Sequence, residues 1–133
     1  MRNYNIFISH SWKYTDSYNR LLNILYNRCY FTFKNYSVPR IDPIIDAEGD
    51  IALYSAIKNQ MGPSSVVLIL AGVYASYSKW IDAEIRIAQD YKKPIIAIEP
   101  WGSERTSLVV KNAADKIVKW NANSIVAAIR DLT

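Results

Sequence analysis

Between Ser78 and Tyr91 the chain reads as an amphipathic helix, and one carboxylate sits on its wrong side. Stepping about 100° per residue gathers Trp80, Ile81, Ala83, Ile85, Ile87, Ala88 and Tyr91 onto one broad arc, with Asp82, Arg86, Gln89 and Lys93 opposite. Glu84 falls near the middle of the apolar arc. Asp82, by contrast, has Arg86 four residues on and makes an ordinary surface pair, worth about 0.2–0.5 kcal/mol. A buried carboxylate is either held by a lysine, an arginine or backbone amides, or it works on a ligand. Burial raises its pKa and a nearby helix N-terminus lowers it, so the two influences oppose each other.

Other residues with chemical potential cluster where the regular patterns stop. Ser9, His10, Ser11 and Trp12 follow the first strand-like run, and Lys34, Tyr36 and Arg40 lie in or beside a long irregular stretch. His10 is the sole histidine, so a Ser-His-Asp hydrolase would have to be built on it, and no Gly-x-Ser-x-Gly elbow accompanies it. Cys29 is the sole cysteine. It can close no intramolecular disulfide and, with one histidine in the chain, builds no zinc site.

The elements that must position these residues alternate. Asn5–Ser9 reads as a buried strand, and a helix opened by Thr15 or Asp16 carries Tyr18, Leu21, Leu22 and Leu25 on one stripe. Tyr30–Phe33 reads as the second strand. Lys34 to Gly49, with Pro39 and Pro43, reads as a long loop of the kind that is usually functional. Asp50 then caps a helix with Leu53, Tyr54, Ile57 and Met61 on one face, ended by Gly62-Pro63. Val66–Leu70 is apolar on both faces, as a central parallel strand must be. The Ser78-capped helix follows, then a strand at Ile95–Ile98, a short helix at Leu108–Ala114 and a strand at Lys116–Trp120. A last helix sets Ile125, Ala128, Ile129 and Leu132 on one face. This order predicts an α/β three-layer sandwich with a five-stranded, mostly parallel sheet, right-handed crossovers and a single domain over residues 1–133. Ligands in such sheets bind at the carboxyl ends of the strands, where strand order reverses. That rule nominates Ser9–Trp12, Lys34–Pro43, Ala71–Ser78 and Glu99–Gly102 as lining one edge.

Composition narrows the function classes. The chain has 133 residues, half of them apolar, with 16 Lys+Arg against 12 Asp+Glu and a net charge of +4. The basic residues are scattered singly, Lys92-Lys93 being the one adjacent pair, which reads as solubility and not as a nucleic-acid surface. The longest apolar runs, Val66–Val73 and Ile95–Ile98, fall far short of the ~20 residues of a membrane span, and Met1-Arg2-Asn3-Tyr4 does not resemble a signal peptide. A cytoplasmic location is expected, with no nucleic-acid or membrane partner. A phospho-receiver is excluded because Leu70-Ala71-Gly72-Val73 offers no Asp, and a flavodoxin because His10-Ser11-Trp12-Lys13 has no glycine.

Tyr4-Asn5-Ile6-Phe7-Ile8-Ser9-His10-Ser11-Trp12 resembles the first strand of a TIR domain. Ser78-Lys79-Trp80-Ile81-Asp82-Ala83-Glu84 resembles the family's Ser-x-Trp-x-x-x-Glu box. Lys34–Pro39 takes the place of its second-strand loop and Pro94–Gly102 that of its fourth strand. The branch resembled is the bacterial and archaeal flavodoxin-like one that includes the TIR proteins of Thoeris anti-phage systems. The likeness runs from Asn5 to Leu132. It implies a TIR/flavodoxin-like fold and an enzyme that cleaves the nicotinamide–ribose bond of NAD+, with a cyclic ADP-ribose-type signal as product and a downstream receptor for that signal. NAD+ would be the substrate, with no further cofactor and no metal. The box glutamate maps onto Glu84 as catalytic residue. Ser9, His10, Ser11 and Trp12, Lys34 and Tyr36 on the loop, and Trp80 would bind substrate. Packing, capping and solvation are the alternative roles of those seven. The chain departs from the family in having Asn5 where an Asp is common, and in lacking the Asp and Gly of the loop at Asn35–Arg40, which commonly mediates self-association. With nearly the whole chain used by the fold, regulation is expected to come from outside it. A non-catalytic interaction module is the alternative function, and a nucleoside deoxyribosyltransferase a more distant one.

Overall fold

In the computed structural model of the chain, residues 3–9, 15–36, 47–71, 79–99 and 107–133 are described, the side chains of 15–17, 47–50, 52–53 and 79–80 excepted. Strands and helices alternate throughout: β1 (Asn3–Ser9), α1 (Thr15–Tyr26), β2 (Thr32–Asn35), α2 (Ala47–Met61), β3 (Val66–Leu70), α3 (Lys79–Asp90), β4 (Ile95–Ile98), α4 (Leu108–Ala113), β5 (Lys116–Val118) and α5 (Ala122–Leu132). The strands form one sheet in the order β2-β1-β3-β4-β5. Every pairing is parallel, so the expected mostly parallel sheet is parallel throughout.

Alternation along the strands divides the core into two layers. Phe7, Val67, Ile69, Ala71, Ile95 and Ala97 face Ile57 and Met61 of α2, Ile81, Ile85, Ile87 and Ala88 of α3, and Val110 of α4. On the other face Ile6, Ile8, Val66, Leu68, Leu70, Ile96 and Ile98 meet Leu21 and Leu25 of α1 and Ile125, Val126, Ala128 and Ile129 of α5. All of β3 and β4 is buried, as both-sided covering of a parallel sheet requires. Each such Val, Leu or Ile contributes about 1.5–3 kcal/mol through burial.

Several boundaries move from the sequence expectation. The second strand is Thr32–Asn35 and not Tyr30–Phe33, because the chain leaves α1 through a turn that ends at Tyr30 with φ 60. Its carbonyl accepts from Arg130 Nη2 at 2.8 Å, which ties the turn to α5. Lys34 and Asn35 therefore belong to a strand and not to the long loop. Helix α2 starts at Ala47, so Asp50 lies inside its first turn and does not cap it. Ile57 and Met61 are buried, but Tyr54 is exposed, with Lys58 Nζ 4.8 Å above its ring. Tyr91 is also exposed, since α3 ends at Asp90 before the apolar arc reaches it. The last strand stops at Val118, short of Trp120. The first begins at Asn3, where pairing with Thr32 extends it. The expected Ser78 cap and residues 37–46 of the loop lie outside the described residues.

Candidate functional site

Strand order reverses beside β1: the chain goes from β1 to β2 on one side, then crosses back to β3 on the other. The carboxyl ends of β1 and β3 are thus the switch point where an open α/β sheet takes its ligand. Ser9, the last residue of β1, stands opposite Ile69 of β3. Alternation puts it on the Phe7 face, the face covered by α2, α3 and α4. It is fully buried, and its Oγ has no hydrogen-bond partner among the described residues.

Glu84 comes to the same layer from α3. Ile81, Glu84, Ile85 and Ala88 follow the i, i+3, i+4, i+7 spacing, and all four are buried, Glu84 to 0% exposure. It is the sixth residue of a helix that starts at the carboxyl edge of the sheet, about 7–8 Å along the axis from the first residue, Lys79. The contrast with Asp82 holds as the pattern predicts: Asp82 Oδ2 and Arg86 Nε lie 3.1 Å apart on the wet face. A carboxylate and a serine hydroxyl, both withdrawn from water, therefore belong to the same layer, the α2/α3/α4 side of the sheet beside the switch point.

Tyr36 and Lys34 approach from β2. The Tyr36 amide donates to the Ile6 carbonyl at 2.8 Å, continuing the β2 pairing by one residue, and its ring packs against the layer that contains Phe7 and Ile57. Lys34 is exposed on the edge strand, with Nζ 5.0 Å from the Tyr36 ring centroid. This cation–π contact joins two of the residues expected to bind substrate. Among the described site residues, Ser9, Tyr36 and Glu84 share the α2/α3 layer, whereas Lys34 stands at its solvent rim. His10, Ser11 and Trp12, Arg40, and the side chain of Trp80 lie outside what is described.

Sequence reasoning passed over Ser107, and named Ala71 only as the first residue of a nominated segment. Ser107 donates its amide to the Ala71 carbonyl at 2.7 Å, and Ala71 donates its own amide to the Ile98 carbonyl at 2.9 Å. These bonds fasten the end of β3 to β4 and to the start of α4. The Ser107 side chain is buried and accepts from the Val110 amide at 3.3 Å. A serine directly before the apolar run Leu108-Val109-Val110 is an N-cap signal that could have found it. Asn35, which donates from Nδ2 to the Tyr18 hydroxyl at 2.7 Å, carried no such signal. Among the described residues there is no cluster of His, Cys, Asp and Glu that could hold a metal ion, and no helix long and apolar enough to cross a membrane.

A family model described as Thoeris protein ThsB, TIR-like domain, matches residues 7–105. Among solved structures the chain is similar to a conserved protein from Enterococcus faecalis V583, with TM-score 0.62 and 11% identity over 98% of this chain and 99% of that one. It is similar as well to a 2-deoxyribosyltransferase from Bacillus psychrosaccharolyticus, with TM-score 0.63 and 11% identity, covering 94% of this chain and 95% of that one. A third is the CMP N-glycosidase BcmB from Clostridium botulinum, with TM-score 0.55 and 12% identity, covering 95% and 98%. At these identities the structures bear on the fold alone. No curated protein matches the chain.

Proposed function

From the premise that the chain belongs to the Thoeris ThsB TIR-like domain family, we propose that it is an NAD+-consuming enzyme of prokaryotic anti-phage defence with Glu84 as its catalytic residue. The observation that carries this reading is Glu84 itself, a fully buried carboxylate in the apolar stripe of α3, on the α2/α3/α4 side of the sheet beside the switch point. The chemistry needs such a group. When the C1′–N bond to nicotinamide breaks, the electron pair leaves with the pyridinium nitrogen, which departs as neutral nicotinamide and takes no proton from the protein. The ribose is left as an oxocarbenium ion, and a carboxylate held in a water-poor site stabilises that charge or holds the ribose hydroxyls. Attack at C1′ by water, with loss of its proton, gives ADP-ribose; attack by a nucleophile within the same molecule gives a cyclic isomer. NAD+ enters as substrate, and no resident cofactor is called for.

Ser9 is suited to hydrogen-bond the substrate, since its buried hydroxyl has no hydrogen-bond partner among the described residues. Lys34 and Tyr36 supply a cation and a ring at the rim, where a diphosphate would lie. His10, Ser11, Trp12 and Trp80 complete the proposed substrate contacts. The test is nicotinamide release from NAD+ by the purified chain, with Glu84→Gln beside it. The wild type is expected to release nicotinamide and the variant to lose at least about a hundredfold in rate. Equal rates in the two would remove Glu84 from catalysis.

A second reading, an interaction module that self-associates, draws on one observation. Leu108 and Val109 of α4 and Ile117 of β5 are exposed at one end of the sheet, where Ile117 pairs with Ala97 in register and so faces the side that α4 covers. Concentration-dependent association lost in Leu108→Ser, with no cleavage of NAD+ under any condition, would favour it.

A further inference from the structure

At the carboxyl edge of the sheet, on the face opposite Glu84, a side-chain hydrogen bond joins β2 to α1. Asn35, the last residue of β2, donates from Nδ2 to the Tyr18 hydroxyl at 2.7 Å. Tyr18 is the fourth residue of α1, the helix that follows the carboxyl end of β1, so the element order places it at that edge. Asn35 stands in register with Ile6 and belongs to the α1/α5 side, where Tyr18 packs. Its chain neighbours Lys34 and Tyr36 alternate to the other side. There the Tyr36 ring packs in the α2/α3/α4 layer, with Lys34 Nζ 5.0 Å from its centroid.

The backbone holds β2 from one side. The strand is four residues long, ends the strand order and pairs with β1, and the Tyr36 amide beyond it donates to the Ile6 carbonyl at 2.8 Å. A short edge strand of this kind is the part of a sheet that opens most readily. A hydrogen bond between two half-buried side chains returns little net stability, since both groups give up water to form it, but it fixes the direction of the groups that make it. With Asn35 fixed on one face, alternation fixes where Lys34 and Tyr36 stand on the other.

We propose that Tyr18 and Asn35 are positioning residues for the substrate: their hydrogen bond, on the face of the sheet away from Glu84, holds the carboxyl end of β2 so that Lys34 and Tyr36 meet the diphosphate of NAD+. This rests on the reading of the chain as an NAD+-consuming enzyme. Neither residue touches the substrate, and both act through the strand.

The test compares the wild type with Tyr18→Phe, which keeps the packed ring and removes the acceptor, with Asn35→Leu, which keeps the shape and removes the donor, and with the double variant. Hydrogen exchange of the Tyr36 amide needs no substrate, and it is expected to quicken about fivefold in each single variant, the loss of one net hydrogen bond. Nicotinamide release from NAD+ is expected to show KM raised about fivefold in each with kcat unchanged, the mark of binding lost equally from ground and transition states. The unchanged kcat also shows that the variants are folded. The double variant is expected to match the singles, because each removes the same bond. An unchanged exchange rate overturns the hold on β2, and faster exchange with an unchanged KM overturns the role in binding. A fall in kcat at unchanged KM overturns that role too, as does a rise in KM of about twenty-five-fold in the double variant, the product of two independent losses. A wild type that releases no nicotinamide overturns the NAD+ reading and the binding role with it, and the exchange rates then still tell a missing hydrogen bond from a missing activity.

Discussion

Ser9→Ala is expected to stabilise the protein, and Ser64→Ala to destabilise it, although both remove the same oxygen from almost equally buried positions. Ser9 is 0% and Ser64 2% exposed. The Ser64 hydroxyl donates to the Met61 carbonyl at 2.7 Å, where it helps close the end of α2. The Ser9 hydroxyl has no hydrogen-bond partner among the described residues. A buried hydroxyl with no partner costs about 1–3 kcal/mol in lost hydration, whereas a made hydrogen bond returns about 1 kcal/mol net. Part of the gain at Ser9 is offset by the small void that a missing oxygen leaves. The expected balance is about +1 kcal/mol for Ser9→Ala and about −1 kcal/mol for Ser64→Ala, roughly 2 kcal/mol apart. For a domain of this length each is a change in Tm of about 3–5 °C, in opposite directions. Urea unfolding of the three proteins reads the free energies, and NAD+ turnover reads the activity proposed for the chain. If Ser9 serves the substrate, KM rises in the more stable variant, an exchange of stability for binding of the kind that functional sites show. A loss of stability in Ser9→Ala comparable to that in Ser64→Ala would mean that Oγ is already bonded within the protein, and the reasoning that assigns it to a ligand would fail.

Three further outcomes follow from the packing. Ile69→Ala, at a fully buried position on the central strand, is expected to cost about 2–5 kcal/mol in urea unfolding. Asn121→Ala removes the side chain that accepts from the Ser124 amide at 2.8 Å at the start of α5, a loss of about 1 kcal/mol measured the same way. Asp82→Asn breaks the exposed pair with Arg86 and is expected to change stability by no more than about 0.5 kcal/mol, a difference that high salt erases.

What the chain discloses in advance depends on how local the cause is. The parallel sheet was legible because Val66–Leu70 and Ile95–Ile98 are apolar at every position, which only a strand covered on both faces tolerates. Glu84 was legible because a single charge breaks an otherwise regular stripe, and its burial in α3 is as the stripe requires. The errors lie where long-range contacts decide. Tyr30 has the propensity of a strand residue, but it ends a turn with positive φ, and its carbonyl accepts from Arg130, far along the chain. Tyr54 has the right spacing from Ile57 and Met61 to be buried, yet it lies at the border of that face and is left exposed beside Lys58. The link between Ser107 and Ala71 is made by backbone groups, which leave no trace in residue type except the serine that caps α4.

The pairing of β1 with β3 also governs when the molecule can exist. Phe7 stands opposite Val67, so the middle of the sheet joins segments that are made far apart during synthesis. A nascent chain that ends before Val66 holds β1 with β2 as its sole neighbour, and two short parallel strands do not sustain a sheet by themselves. Non-local pairing of this sort is slow to nucleate. The proposed catalytic layer needs β1, β3 and α3 together, so it forms only once more than half of the chain has been made, and a truncated product carries the first strand without the chemistry.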